Sequence, residues 1–301
     1  MALSKNWSPL AAVCGTLLVA GGAGVAYAAA ANAQNAQDLP ALVSMTHGLT
    51  YQARPGQANH LSVTRDIIDG PGDDSCDAYG CAWYQYRIDD SVAIQIQDDP
   101  DGECVRPQAP DQTVVVCTFL DAWGQDPGTI SNFRLGDEND VVKYVDLSGD
   151  HYEDDLFHLG AGNDRYDSTG GKTDANVIDG ALGNDTIITA PQIGDVARIF
   201  AGGGNDTIRT SGDWTMAYGN SGNDKLYGAA GRQDFSGGPG KDLIRGGAGT
   251  DYLTGGPGND TLYGDKGADK IYGNSGDDKL YGGPGTDTLS GGPGKDVIKP
   301  D

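Results

Sequence analysis

Aspartate recurs in the C-terminal part of this sequence at a spacing suited to holding cations. Asp224, Asp242, Asp251, Asp260, Asp269, Asp278, Asp287 and Asp296 each take the sixth place of a nine-residue unit, and Gln233 is the one exception. The units run without a gap from Gly219 to Lys299. Each opens with Gly and carries Gly again in fourth place, from Gly219 and Gly222 through to Gly291 and Gly294. The eighth place is always large and apolar: Leu226, Phe235, Ile244, Leu253, Leu262, Ile271, Leu280, Leu289 and Ile298. Carboxylates and main-chain carbonyls are hard oxygen donors. A cation that gathers several of them at about 2.3–2.6 Å is calcium. The glycines at places one and four are expected to take positive φ, in a tight turn that brings carbonyls toward an ion.

The elements that must position these carboxylates follow from the same period. Residues seven to nine are long enough for one short strand. Its eighth side chain points inward and the seventh and ninth point outward. One turn and strand cannot bury an apolar residue alone, so the units must stack. Two units make an 18-residue coil with a turn on each of two edges. Tyr227, Tyr263 and Tyr281 lie multiples of 18 apart and so should form a ladder on one outer sheet, with Tyr272 as a further ninth-place tyrosine.

The pattern closely resembles the RTX, or haemolysin-type, calcium-binding nonapeptide repeat. The resemblance implies an all-β fold, a right-handed parallel β-roll or β-helix solenoid, with Ca2+ between successive turns of one edge. Several ions are implied, held by sixth-place Asp and loop carbonyls. One edge then uses Asp224, Asp242, Asp260, Asp278 and Asp296; the other uses Asp251, Asp269 and Asp287, with Gln233 weakening its first site. Looser copies precede these. Gly160-Ala161-Gly162-Asn163-Asp164, Gly180-Ala181-Leu182-Gly183-Asn184-Asp185 and Gly202-Gly203-Gly204-Asn205-Asp206 recur every 21 residues, which adds Asp164, Asp185 and Asp206 to the metal set. Their coils keep one metal-type turn and a longer second turn. Leu135-Gly136-Asp137-Glu138-Asn139-Asp140 reads as the earliest coil, but Glu138 replaces the fourth Gly and Asp140 is left out of the set. The Asn-Asp-Thr triplets at Asn184, Asn205 and Asn259 match a glycosylation sequon but also suit the turn itself.

Composition bounds the partners. The 301 residues hold 43 Asp and Glu against 20 Lys and Arg, a net charge of -23. That balance repels phosphate backbones and anionic membrane surfaces, which excludes nucleic acid as a partner. Calcium ions are the expected partner. The 48 glycines and the crowded carboxylates predict a chain that is disordered without metal and folds on binding it.

The first residues read as an address. Lys5 is followed by an apolar, Ala- and Gly-rich run, and Ala26-Tyr27-Ala28 fits a cleavage site. Residues 1–28 are therefore expected to be a signal peptide on a secreted, extracellular protein, with no membrane insertion after cleavage. Of the later cysteines, Cys76–Cys81 and Cys104–Cys117 are the favoured local pairs among three pairings. Residues 29–134 are expected to form a disulfide-bearing β cap, 135–218 the longer coils and 219–299 the nine regular units. Strand-like runs fall at 49–53, 60–68, 82–88, 92–97 and 113–119. The Leu49-Thr50-Tyr51-Gln52-Ala53 run, Gly56-Gln57-Ala58-Asn59 and the Cys104 and Cys117 pair are similar to the leader of exported actinobacterial calcium-binding proteins.

No His-Glu-x-x-His or Gly-x-Ser-x-Gly motif is present, so no enzyme is expected. His151 and His158 flank Glu153, Asp154 and Asp155; this group reads as a solvated acidic turn, with a metal or acid–base cluster as the alternative. The expected role is structural or adhesive, with a cell-surface or polysaccharide partner left unnamed. The alternative is an extracellular carbohydrate-active enzyme that uses the solenoid face.

Overall fold

The computed structural model describes residues 39–45, 49–68, 82–97, 99, 102–107, 111–121, 131–147, 155–172, 176–191 and 196–301. The signal-peptide reading, Cys76, Cys81, His151, Glu153 and Asp154 lie outside the described residues. The described residues contain strands and turns and no helix. The strands form two stacks, one of 12 and one of 13, and from Asn132–Arg134 onward alternate strands belong to alternate stacks and pair in parallel. From that strand on, the chain crosses from one stack to the other at each turn, which is a parallel β-solenoid.

The register reproduces the sequence period. Strand Lys225–Tyr227 pairs with Leu243–Gly249 by matching Leu226 to Ile244, and Leu262 to Leu280 follows two strands on. Each step there is one 18-residue coil. Farther upstream Tyr166 matches Ile187 and Ile187 matches Ile208, so those coils are 21 residues long. Val142 matches Tyr166, a coil of 24. The earliest coils fill their interior with rings. Phe133 stacks on Phe157 at 4.7 Å, and Tyr144 and Tyr166 meet Phe157 edge-on at 5.3 and 5.1 Å. From Ile178 onward the core is mostly a single file of eighth-place aliphatics, buried without exception as far as Leu280. The file opens at the last coil, where Leu289 is half-buried and Ile298 is 45% exposed.

Strands Thr50–Gln52 and His60–Ile68 continue the parallel register. They pair with Asn132–Arg134 and Val141–Asp146. Beyond them the direction reverses. Ala82–Asp89 runs antiparallel to His60–Ile68, and Val114–Asp121 runs antiparallel to Ala82–Asp89. On the other stack Ala41–Ser44 is antiparallel to Thr50–Gln52. These strands occupy edges that would otherwise present unpaired backbone groups. Cys104 and Cys117 face each other across an antiparallel pair and form a disulfide.

The core file predicts a positional gradient in stability. Leu253→Ala removes a fully buried side chain and is expected to cost about 2–5 kcal/mol in denaturant unfolding with calcium present. Ile298→Ala is expected to leave the unfolding midpoint nearly unchanged. Equal losses at both positions would contradict the packing described.

Candidate calcium centres

Each sixth-place Asp of the regular units sits just before a strand, while Gln233 lies inside Arg232–Ser236. Along the first edge these residues form one hydrogen-bonded column. The backbone N–H of Asp140 donates to Oδ1 of Asp164, Asp164 to Asp185, Asp185 to Asp206, and Asp206 to Asp224, each at 2.8 Å. The column continues through Asp242, Asp260 and Asp278 to Asp296, where the last bond is 3.1 Å. The second edge has a shorter column in which Gln233 donates to Asp251, Asp251 to Asp269, and Asp269 to Asp287. One carboxylate oxygen of every such Asp is thereby spent on the preceding coil.

The other oxygen has no such use. Oδ2 of Asp140, Asp164, Asp185, Asp206, Asp224, Asp242, Asp251, Asp260, Asp269, Asp278 and Asp287 is buried without a hydrogen-bond partner. A buried polar group left unpaired costs stability, and a buried charge costs more. Eleven such atoms in register mark positions where a cation would supply the missing partner. Asp296, in the last coil, is only half-buried.

The surrounding atoms fit calcium. A methyl group on Gly219 would stand 2.4 Å from Asp224 Oδ2 and 2.7 Å from the carbonyl oxygen of Gly237 in the next coil. The same pair of oxygens faces Gly255, from Asp260 and Gly273, at 2.3 and 2.8 Å. First-place glycine is therefore required for space: its missing side chain leaves room where a carboxylate and a carbonyl face each other. This corrects the expected role of that glycine. Positive φ belongs to places two and four, as at Gly238 (102°) and Gly240 (159°), and not to place one. Asn220, Asp265 and Asn274 take the second place with φ of 67°, 68° and 71°. Asn and Asp enter this left-handed region more readily than other residues with a side chain. Among the described residues no group of three or more His, Cys, Asp or Glu side chains is placed to hold a metal ion. Main-chain carbonyls such as that of Gly237 lie beside the carboxylates and are hard oxygens a calcium ion would take.

The structure adds residues that the spacing argument missed. Asp140 joins the column despite Glu138, because Glu138 itself adopts φ of 79° and preserves the turn. Asn59 closes the column: its backbone N–H and its Nδ2 donate to Asp140 Oδ1 at 2.6 and 2.9 Å. A second, outer column runs beside the aspartates in the opposite sense. Asn139, Asn163, Asn184 and Asn205 each accept, through Oδ1, the backbone N–H of the fifth-place residue one coil downstream. The fifth-place Asn and sixth-place Asp thus stitch the edge from both sides, which gives the Asn-Asp pairs a structural use.

On the second edge the upstream sixth places are settled by protein groups. Gln233 Nε2 donates to the carbonyl of Ala230 at 2.9 Å, and its Oε1 accepts from Thr210 at 3.1 Å. Asp155 is fully enclosed and accepts from the Tyr86 and Tyr144 hydroxyls at 2.8 and 2.7 Å. His158 instead lies on the outer face with Nδ1 3.2 Å from Asp179. The acidic-turn reading therefore fails for Asp155, and the described members of that group, Asp155 and His158, have separate partners. The tyrosine ladder is present but interrupted: Tyr263 and Tyr281 stack at 4.7 Å, and Arg245 lies between Tyr227 and Tyr263. Tyr272 belongs to the opposite stack, against Tyr252.

Burial raises the pKa of the column carboxyls from Asp140 to Asp278 on the first edge and of Asp251 and Asp269 on the second. Asp185, Asp242 and Asp251 are pushed up to about 7, and Asp206 and Asp260 to about 6, with neighbouring carboxylates adding to the effect. Such groups hold more protons folded than unfolded between about pH 4 and 7, so metal-free stability falls as pH rises through that window. In chelator, lowering the pH from about 8 to about 5 is expected to increase the β signal in circular dichroism, as protonation removes the buried charge. With calcium the dependence should reverse, because protons then compete with the ion. A metal-free signal independent of pH would contradict this account.

Residues 171–190, 198–214, 216–232, 236–271 and 263–298 match the family model described as the RTX calcium-binding nonapeptide repeat (4 copies). No curated protein and no solved structure matches the chain. The matched ranges contain most of the aspartate column and both of its edges. The stretch from residue 171 to 298 is a run of RTX calcium-binding nonapeptide repeats, and the chain is a calcium-binding repeat protein built as a parallel β-solenoid.

Proposed function

We propose that this protein is exported and that its solenoid folds by taking up several calcium ions outside the cell, where it serves a structural or adhesive role. The observation that carries this reading is the column of buried, partnerless Oδ2 atoms, one per coil along the first edge and three more on the second. The proposed ligands are the column carboxylates Asp164, Asp185, Asp206, Asp224, Asp242, Asp251, Asp260, Asp269, Asp278, Asp287 and Asp296. Asp140 joins them on the same geometry. Each ion would neutralise charge between two coils and so join their turns. Calcium binding then becomes part of the folding free energy.

Export is supported by the leading apolar run and by the Cys104–Cys117 disulfide, since such bonds persist in oxidising surroundings. A calcium-poor interior would leave the carboxylates repelling and the chain unfolded, the state that passes most readily through a secretion channel. External calcium would then complete the fold.

Titration of calcium into chelator-treated protein is the test, followed by far-UV circular dichroism with magnesium as control. A cooperative gain of β signal with calcium and not with magnesium is expected. A protein already fully folded in chelator at neutral pH would overturn coupled folding.

A further inference from the structure

The two outer faces of the solenoid differ in charge. On the 13-stranded stack, strands from Thr207–Arg209 to Val297–Lys299 present seventh- and ninth-place side chains outward. These twelve residues are Thr207, Arg209, Lys225, Tyr227, Leu243, Arg245, Thr261, Tyr263, Lys279, Tyr281, Val297 and Lys299, and none is acidic. Five are cationic, in a chain where acids outnumber bases 43 to 20. The matching positions on the other stack, from Met216 to Ser290, carry one Asp and one Lys, Asp234 and Lys270.

The cations are evenly dealt. Successive strands are about 4.8 Å apart, and every one of these rungs except Thr261–Gly267 carries one cation. The ninth-place row runs Arg209, Tyr227, Arg245, Tyr263, Tyr281, Lys299, with at least one ring between successive cations. Arg209 lies 4.4 Å from the Tyr227 centroid, Arg245 5.0 Å from Tyr263 and Lys299 5.5 Å from Tyr281. Rings thus separate like charges along the row. Arg245 is also held by Asp265, at 2.7 and 3.1 Å. Among the described residues, Arg209, Lys225, Lys279 and Lys299 have no carboxylate partner within salt-bridge distance, and all four are exposed.

The rings also limit what the face can take. Tyr263 and Tyr281 lie nearly parallel, 9° apart, so each covers a face of the other. Arg209, Arg245 and Lys299 cover further ring faces. Nucleobases and neutral sugars, which dock on open ring faces, find little purchase here. What remains exposed is a pair of adjacent rows over about 24 Å, Lys225 and Lys279 in the seventh-place row and Arg209, Arg245, Lys299 and the tyrosine hydroxyls in the ninth-place row. Regular positive charge with hydroxyl donors suits a linear chain bearing carboxylates at regular intervals. A pyranose ring is comparable in length to one rung. Charges beyond about 8 Å are screened at physiological ionic strength, so this local stripe can act despite the overall negative charge.

We infer that the outer face running from Arg209 to Lys299 binds an extended, carboxylated polysaccharide, lying across the strands with its carboxylates on the cations of the two adjacent rows. This names a partner for the adhesive role above and rests on that reading for the folded, calcium-loaded state.

The test uses the full chain with saturating calcium and fluorescently labelled hyaluronate oligosaccharides, with dextran and a single-stranded DNA oligonucleotide as comparisons. Hyaluronate is expected to bind, more weakly as salt rises, and dextran is not. The K225Q/K279Q/K299Q variant should lose at least about tenfold in affinity. Its calcium-induced circular dichroism should match wild type, which separates loss of the face from loss of folding. Tyr281→Phe should weaken binding a few-fold without changing the calcium response. Absence of hyaluronate binding, unchanged binding by the triple variant, or tighter binding of the DNA would overturn the proposal.

Discussion

The solenoid depends on a division of labour within one carboxylate. Oδ1 of each column aspartate accepts the N–H of the aspartate one coil earlier, which sets the vertical register of the turns. Oδ2 is left inside the edge with nothing from the protein to meet it. Ionised, that arrangement is unfavourable: the charges are buried, close together and alike. The hydrogen bonds alone cannot offset a buried charge on every coil. Protonation or a cation at the edge would relieve that charge, and the carboxylate and carbonyl oxygens facing first-place glycines such as Gly219 and Gly255 are of the kind calcium takes.

The second edge shows the same problem solved without metal. Its early sixth places hold Asp155, Asn176, Ala197, Thr215 and Gln233 in turn. Asp155 is met by two tyrosine hydroxyls, and burial pushes its carboxyl up. The N–H of Asp155 donates to Asn176 Oδ1, repeating the column geometry with a neutral amide, and Asn176 Nδ2 donates to Tyr166. Buried Arg65 adds positive charge nearby, with Nη1 3.8 Å from Asp146 Oδ2 and its guanidinium over Tyr84. The upstream coils thus carry more of their own polar satisfaction, and the regular coils downstream carry less. Aromatic packing around Phe157 reinforces that contrast.

Much of this was legible in the sequence because the repeat is short and strict. Period nine gives the strand starts, the two edges and the 18-residue register, though strands such as Leu243–Gly249 and Thr261–Gly267 run on past place nine into the next turn, and the 21-residue spacing upstream matches the observed pairing of Tyr166 with Ile187. The position and necessity of the glycines were readable, but the cause at place one is steric room for Asp Oδ2, which appears only when successive coils are stacked. Asp140 was passed over because Glu138 broke the motif, yet a non-glycine residue in the left-handed region was enough to keep the turn. Asp155 was invisible as a sixth-place residue. Its turn has no glycine frame, and its partners Tyr86 and Tyr144 are 69 and 11 residues away. Asn59 was hidden for a similar reason, since it reaches Asp140 across 81 residues.

The central claim is that the carboxylate column holds only when its inner oxygens have cations. Amide hydrogen exchange resolved along the chain tests this most directly, comparing chelated and calcium-loaded protein at neutral pH. The backbone N–H groups of Asp206, Asp224, Asp242 and Asp260 should be strongly protected with calcium and exchange freely without it. Equal protection of those four amides in both states would contradict the account, because the column would then stand without its counter-charge.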